Sequence, residues 1–145
     1  MEKEIYEKII KNIKQYVGRK KGFERLLKDG FQHIYWGLTI TTNVNIKTIF
    51  ILNRLVEMAK LGNKITILIA DIHTLLEQKR EISEYEVNKF KIIINKLIDG
   101  YNLDDEVRSK FTIVIGSEFQ LSKTYILDLY KLISINGTIQ SYCSD

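Results

Sequence analysis

The residue types that most often carry chemistry are sparse in this sequence, and they do not form a familiar catalytic arrangement. Asp71 and His73 stand two positions apart and have the types of metal ligands, but no third ligand follows at a suitable spacing. We therefore expect no metal site. His33 falls inside a predicted strand and Cys143 in the tail, so no nucleophile–base pair can be assigned. Glu118 and Asp71 both stand at strand ends, but nothing else indicates an acid–base pair.

Three strands are predicted to position these side chains. Apolar or aromatic runs at 33–38, 65–70 and 111–115 predict the strands, and segments with helical apolar spacing lie between them. Strands that alternate with helices are typical of an α/β fold with a mostly parallel sheet and helices on both faces. The stripe of isoleucines in the first 17 residues predicts a helix before this core.

In such sheets, ligands bind where the chain leaves the carboxyl ends of the strands. We expect Thr48 to be the N-cap of a helix that ends at Gly62, and Gly116 to begin a polar turn. The segment at 71–78 is expected to be a loop or a short helix. Three segments leave the strand ends, namely 37–48, 71–78 and 116–123.

The chain length of 145 residues fits one domain. We expect an N-terminal helical segment at 1–30, an α/β core at 31–133 and a flexible tail at 134–145. Hydrophobic residues make up 45% of the sequence, which is enough for a buried core and excludes a largely disordered chain.

The net charge of +4 suits contact with RNA or another anionic partner without establishing it. The densest basic cluster, Arg19, Lys20 and Lys21, is either part of such a contact or a solvated turn.

A single cysteine favours a reducing compartment. No apolar run resembles a signal peptide or is long enough to cross a bilayer, so we expect a cytoplasmic protein without membrane contact.

The three strand-end segments resemble, in order and spacing, the archaeal and eukaryotic type of tyrosyl-tRNA synthetase. The resemblance runs from about a second predicted helical stretch, Phe23 to Leu27, to residue 133. It matches the N-terminal part of the catalytic domain, less than half of a complete synthetase. It implies a class I, HUP-type Rossmann-like fold, truncated relative to the family. Its motifs are Tyr35-Trp36-Gly37, Leu68-Ile69-Ala70-Asp71-Ile72-His73 and Gly116-Ser117-Glu118-Phe119-Gln120-Leu121.

The sequence departs from this family at the signature that handles ATP. In the family, a His-x-Gly-His motif opens the helix after the first strand; the histidines stabilise charge on the phosphates and the glycine admits the adenine. Here Asn45 and Thr48 replace the histidines and Lys47 replaces the glycine. The family's lysine-containing KMSKS loop has no counterpart either. These departures imply no catalysis and no ATP cofactor. Lys47 either binds a phosphate, with Thr48 as the cap, or is a solvated replacement.

The resemblance also implies a residual tyrosine pocket. Its small residues, Gly37 and Ala70, would leave room for an aromatic ring. The family recognises the tyrosine ammonium and hydroxyl largely from a later helix, so weak or no tyrosine binding is expected. The alternative is that the same side chains only pack the end of the sheet. The pocket positions are Tyr35, Gly37, Leu68, Ala70, His73, Phe119 and Gln120.

The predicted helix near 124–133 is apolar nearly all round, so both of its sides need cover. In the family, this region helps to build the dimer interface. We therefore expect a homo-oligomer or a subunit of a larger complex, with RNA contact as a further option. The candidate interface residues are Tyr125, Leu129, Tyr130 and Leu132.

Three functions are compatible with the sequence. The first is a non-catalytic interaction or scaffold module descended from a synthetase. The second is one piece of a split tyrosine–tRNA ligase that a second polypeptide completes. The third is a sensor that binds tyrosine, or a related aromatic molecule, in the residual pocket.

Overall fold

The computed structural model describes residues 33–41 and 44–136, with side chains as far as residue 134. The predicted N-terminal helix, the basic cluster at 19–21 and Cys143 lie outside the described residues. The elements in chain order are β1 (His33–Leu38), α1 (Ile46–Lys60), β2 (Lys64–Ile69), α2 (Asp71–Gln78), α3 (Glu84–Asp99), α4 (Asp105–Ser109), β3 (Phe111–Ile115), α5 (Gly116–Gln120) and α6 (Lys123–Asn136).

The three strands form a parallel sheet in the order β1-β2-β3. Parallel neighbours need a crossover connection, and helices provide both crossovers here. Each crossover moves the chain one strand further across the sheet in the same direction. Since such crossovers are right-handed, α1 and α3 lie on the same face of the sheet. The observed architecture confirms the predicted α/β, Rossmann-like fold.

The hydrophobic core lies between that face and the two helices. Ile65, Ile67 and Ile69 alternate along β2 and are fully buried. They share one cluster with Leu52 of α1 and Ile94 of α3, which are also fully buried. Central strand β2 is therefore the part of the sheet that is most completely covered.

Helix α1 begins three residues earlier than the sequence predicted. Asn45 is the N-cap, and its side-chain oxygen accepts a hydrogen bond of 3.2 Å from the backbone N–H of Thr48. The prediction that Thr48 is the cap is therefore wrong. Gly62 follows the helix with a φ of 98°, a left-handed conformation that favours glycine, which confirms the predicted stop.

Helix α3 begins with a capping box. The Ser83 side chain accepts from the backbone N–H of Glu86, and the Glu86 carboxylate accepts from the backbone N–H of Ser83. That backbone hydrogen bond, with help from the Ser83 hydroxyl and the Arg80 guanidinium, lowers the pKa of Glu86. The start of α3, within the second crossover, is thereby fixed.

The region around β3 differs from the sequence prediction in three places. The turn expected after Gly116 is a short helix, α5. Helix α4, which Asp104 caps by accepting from the backbone N–H of Val107 at 2.7 Å, was not predicted. Helix α6 continues to Asn136, so the expected tail at 134–145 begins with helix, and residues 137–145 lie outside the described part.

Candidate ligand-binding cleft

An open cleft of about 670 Å³ lies where β1 and β2 end, as expected for a parallel sheet. It brings together residues from the end of β1, the start of α1, the end of β2, helix α2 and the end of α5. Its lining residues are Tyr35, Trp36, Gly37, Leu38, Thr39, Thr41, Asn45, Lys47, Thr48, Ile51, Leu68, Ala70, Ile72, His73, Leu76, Phe90 and Gln120.

A buried threonine ties the segment after β1 to helix α2. The Thr74 hydroxyl donates to the backbone oxygen of Ala70 at 2.7 Å and accepts from the backbone N–H of Ile40 at 2.9 Å. The Gln78 side chain donates to the backbone oxygen of Ile40 at 3.1 Å. Two side chains of α2 thus satisfy both backbone groups of Ile40, which holds the backbone just after β1 against α2.

A second contact ties the ends of β2 and β3 together. The Asp71 side chain is 8% exposed and accepts a hydrogen bond of 2.9 Å from the backbone N–H of Ser117. Gly116 lies directly beside this bond: a Cβ built there would stand 2.8 Å from Asp71 Oδ1 and 2.6 Å from Gln120 Oε1. Helix α5, which carries Gln120, is therefore held against the start of α2.

The structure brings together six of the seven positions of the predicted pocket. Phe119 is the exception: it does not line the cleft, and its ring packs edge-on against that of Tyr125 with centroids 5.6 Å apart. The Gln120 amide makes no hydrogen bond within residues 33–41 and 44–136, so it is available to a ligand. Lining residues that the sequence did not single out include Phe90, which reaches the cleft from α3.

All three positions that replace the His-x-Gly-His signature lie on the cleft wall at the start of α1. The Asn45 side chain is used as the helix cap, and the backbone N–H of Thr48 donates to Asn45. Lys47 is exposed and forms no ion pair with any carboxylate in the described part of the chain. The structure thus places a cation where the resemblance implies a glycine.

The two histidines lie apart. His33 is hydrogen-bonded to the Thr66 hydroxyl at 2.6 Å and does not line the cleft, whereas His73 does. Within the described ranges, no group of three His, Cys, Asp or Glu side chains could hold a metal ion. Among the same residues, no helix has the length and apolar character needed to cross a membrane.

Helix α6 presents exposed apolar side chains. Its seven large apolar side chains are between 38% and 66% exposed. The predicted interface residues belong to this set, with Tyr130 and Leu132 the most exposed. The full set is Tyr125, Ile126, Leu127, Leu129, Tyr130, Leu132 and Ile133.

The chain is similar in sequence to tyrosine–tRNA ligases. It is 28% identical over 135 residues to the cytoplasmic enzyme of Gallus gallus, and the match covers 91% of this chain and 25% of that protein. It is 31% identical over 127 residues to the enzyme of Methanosarcina acetivorans, covering 87% of this chain and 38% of that protein. The chain thus spans roughly a quarter to two fifths of the length of these relatives. No protein-family profile matches it.

The fold is similar to that of a solved synthetase. A tyrosyl-tRNA synthetase from Archaeoglobus fulgidus, crystallised in complex with L-tyrosine, matches with a TM-score of 0.75 and 25% sequence identity. The match covers 94% of this chain and 41% of the synthetase. Both comparisons confirm the resemblance that the strand-end motifs predicted.

Proposed function

This chain is a relative of the archaeal and eukaryotic tyrosyl-tRNA synthetases, and from that premise we propose that it is a non-catalytic interaction module. It does not activate tyrosine with ATP, and it needs no cofactor. It acts in the cytoplasm through the exposed apolar surface of α6, in a homo-oligomer or a larger assembly. The similarity covers at most about two fifths of the relatives' length, so their activity is not transferred to this chain.

One observation carries the non-catalytic part of the proposal. The start of α1 forms one wall of the cleft, and it presents Asn45, Lys47 and Thr48 there. The resemblance implies that adenine lies against a glycine at the position of Lys47, and a lysine side chain takes up that space. The asparagine amide cannot carry the positive charge that a histidine can offer to a phosphate, and here it caps the helix.

A pyrophosphate-exchange assay tests the absence of adenylate formation. With ATP, Mg²⁺ and L-tyrosine present, we expect no exchange above the enzyme-free background, because the charge-stabilising groups at the start of α1 are missing. A complete tyrosine–tRNA ligase assayed in parallel provides the positive control. Tyrosine-dependent exchange by this chain alone would refute the proposal.

The exposed apolar side chains of α6 support the interaction role. Seven large apolar residues on this single helix are more than a third exposed, and monomeric proteins rarely leave so much apolar surface in water. Self-association would cover this surface with the same surface of a second copy of the chain. Most soluble protein oligomers consist of identical chains. We therefore propose a homo-oligomer as the first candidate assembly.

Sedimentation velocity tests the role of α6. We expect a mass above that of the 17.0 kDa monomer for the natural chain and a monomer for Tyr130→Glu, because a carboxylate would have to be buried in the interface. Tyr130 is 66% exposed, so the substitution leaves the core intact. Lys131→Gln on the same helix is the matched control and should keep the higher mass. A monomeric natural chain, or an unchanged mass for Tyr130→Glu, would contradict self-association through α6.

A second candidate function is binding of a small aromatic molecule in the cleft. The cleft volume of about 670 Å³ falls in the range of small-molecule sites, and six positions of the predicted tyrosine pocket line it. The structural neighbour from Archaeoglobus fulgidus was crystallised with L-tyrosine. Saturable calorimetric binding of L-tyrosine in preference to L-phenylalanine would favour a sensor or a split ligase. A split ligase would also gain pyrophosphate exchange when its partner polypeptide is added.

A further inference from the structure

We propose that the cleft selects an aromatic carboxylate that carries no ammonium group, in preference to a zwitterionic amino acid. This inference deepens the second candidate function and rests on it, because it requires the cleft to be a small-molecule site. The charges on the cleft walls distinguish the two ligand classes.

Those walls carry positive charge only. Among the described residues that line the cleft, Lys47 carries a formal positive charge, and no aspartate or glutamate is present. The two carboxylates on α2 lie outside the lining. Asp71 accepts from the backbone of Ser117, and Glu77 stands 4.0 Å from the His73 ring.

This imbalance disfavours a ligand ammonium. An ammonium group that leaves water needs a carboxylate or several well-placed acceptors, and the described walls offer no carboxylate. A ligand carboxylate, in contrast, can form an ion pair with the Lys47 ammonium, because Lys47 has no ion-pair partner in the described part of the chain. The first turn of α1 contains no acidic residue that would repel the anion.

The remaining walls suit the rest of such a ligand. Tyr35, Ile51 and Leu76 contribute aromatic or aliphatic side chains to the lining. A Cβ built at Gly37 would contact the Tyr35 hydroxyl at 3.4 Å and Leu68 Cδ2 at 3.8 Å, so these two side chains lie over β1 at this position. An aromatic ring therefore has apolar contacts, and the Gln120 amide is available for a polar substituent on the ring.

Three probes with the same ring and side-chain length separate the contributions of the two charged groups. They are 3-(4-hydroxyphenyl)propionate, which has the carboxylate alone, L-tyrosine, which has both groups, and tyramine, which has the ammonium alone. In calorimetric titrations of the full chain, we expect the propionate to bind most tightly and tyramine most weakly. The affinity ratio between these two should be roughly tenfold or more.

Two lysine variants on α1 test whether Lys47 is the cation that binds the ligand carboxylate. Lys47→Met should weaken binding of the propionate roughly tenfold, because it removes one charged hydrogen bond. Lys60→Met, at the exposed far end of α1 and outside the cleft, should leave that affinity unchanged. Circular dichroism of both variants verifies that the helix content is retained.

Each contrary result has a distinct meaning. If L-tyrosine or tyramine binds as tightly as the propionate, the inferred selectivity is wrong. If the propionate binds equally to the natural chain and to Lys47→Met, the assignment of Lys47 is wrong. If no probe binds, the cleft is not an aromatic site and the inference fails, whereas the interaction module, which pyrophosphate exchange and sedimentation test separately, is unaffected.

Discussion

Ile94→Ala is expected to lower the free energy of unfolding by about 2–5 kcal/mol, the range for truncating a buried aliphatic side chain. Ile94 is fully buried at the centre of α3, in the cluster that joins this helix to α1 and the sheet. The substitution removes apolar contacts and leaves a cavity that three packed elements cannot easily close. Urea unfolding followed by circular dichroism measures the change.

Ile92→Ala is the matched control for this prediction. Ile92 lies two positions earlier on the same helix and is 54% exposed, so the same truncation should change the unfolding free energy by no more than about 0.5 kcal/mol. Equal destabilisation by the two variants would show that α3 does not bury the face described above. A small effect of both variants would place the core elsewhere.

Gly116→Ala is expected to destabilise the chain by about 1–3 kcal/mol, because the added methyl group overpacks the junction between β2 and β3. Its Cβ would stand 2.6 Å from Gln120 Oε1 and 2.8 Å from Asp71 Oδ1. The Gln120 side chain can move away, but Asp71 is buried and hydrogen-bonded to Ser117. The same urea titration measures the loss.

Gly37→Ala separates this clash from the general cost of replacing a glycine. Neither Gly37 nor Gly116 has a positive φ, so alanine is permitted by the backbone at both positions. At Gly37 the nearest atoms to a built Cβ are 3.4 Å and 3.8 Å away, which are ordinary contacts. We expect Gly37→Ala to be neutral or slightly stabilising. A neutral Gly116→Ala would show that the contact between α2 and α5 is looser than described.

The strands could be predicted from sequence because their signal is local. The run from Ile65 to Ile69 is apolar except for Thr66, and such a nearly continuous apolar run is typical of a strand in a covered parallel sheet. The N-cap of α1 was harder to assign, because asparagine and threonine both cap helices well. The structure has Asn45 as the cap, and the backbone of Ile40, just after β1, is held by Thr74 and Gln78 of α2, which are distant in sequence.

Helix α5 could not be predicted from its own residues. Gly116 and Ser117 are typical of turns, and a five-residue helix has little stability of its own. Its first turn is held by Asp71, 46 positions earlier in the chain, and local propensity contains no information on that contact. The same short helix turns Gln120 to the cleft and Phe119 to Tyr125, which is why Phe119 does not line the cleft with the other six predicted positions.

The all-parallel sheet restricts the order in which this chain can fold. His33 pairs with Lys64, 31 positions later, and Ile65 pairs with Phe111, 46 positions later, so no strand pair can form from a tight turn. Each pairing must close a long loop before it gains contacts, and this topology slows folding relative to a helical bundle. The free-energy cost of closing a loop rises by only about 0.6 kcal/mol for each doubling of its length. Closing the longer crossover, between β2 and β3, therefore costs little more than closing the first. The cleft lies where β1 and β2 end and takes Gln120 from the helix that follows β3, so it is complete only when the whole sheet has assembled.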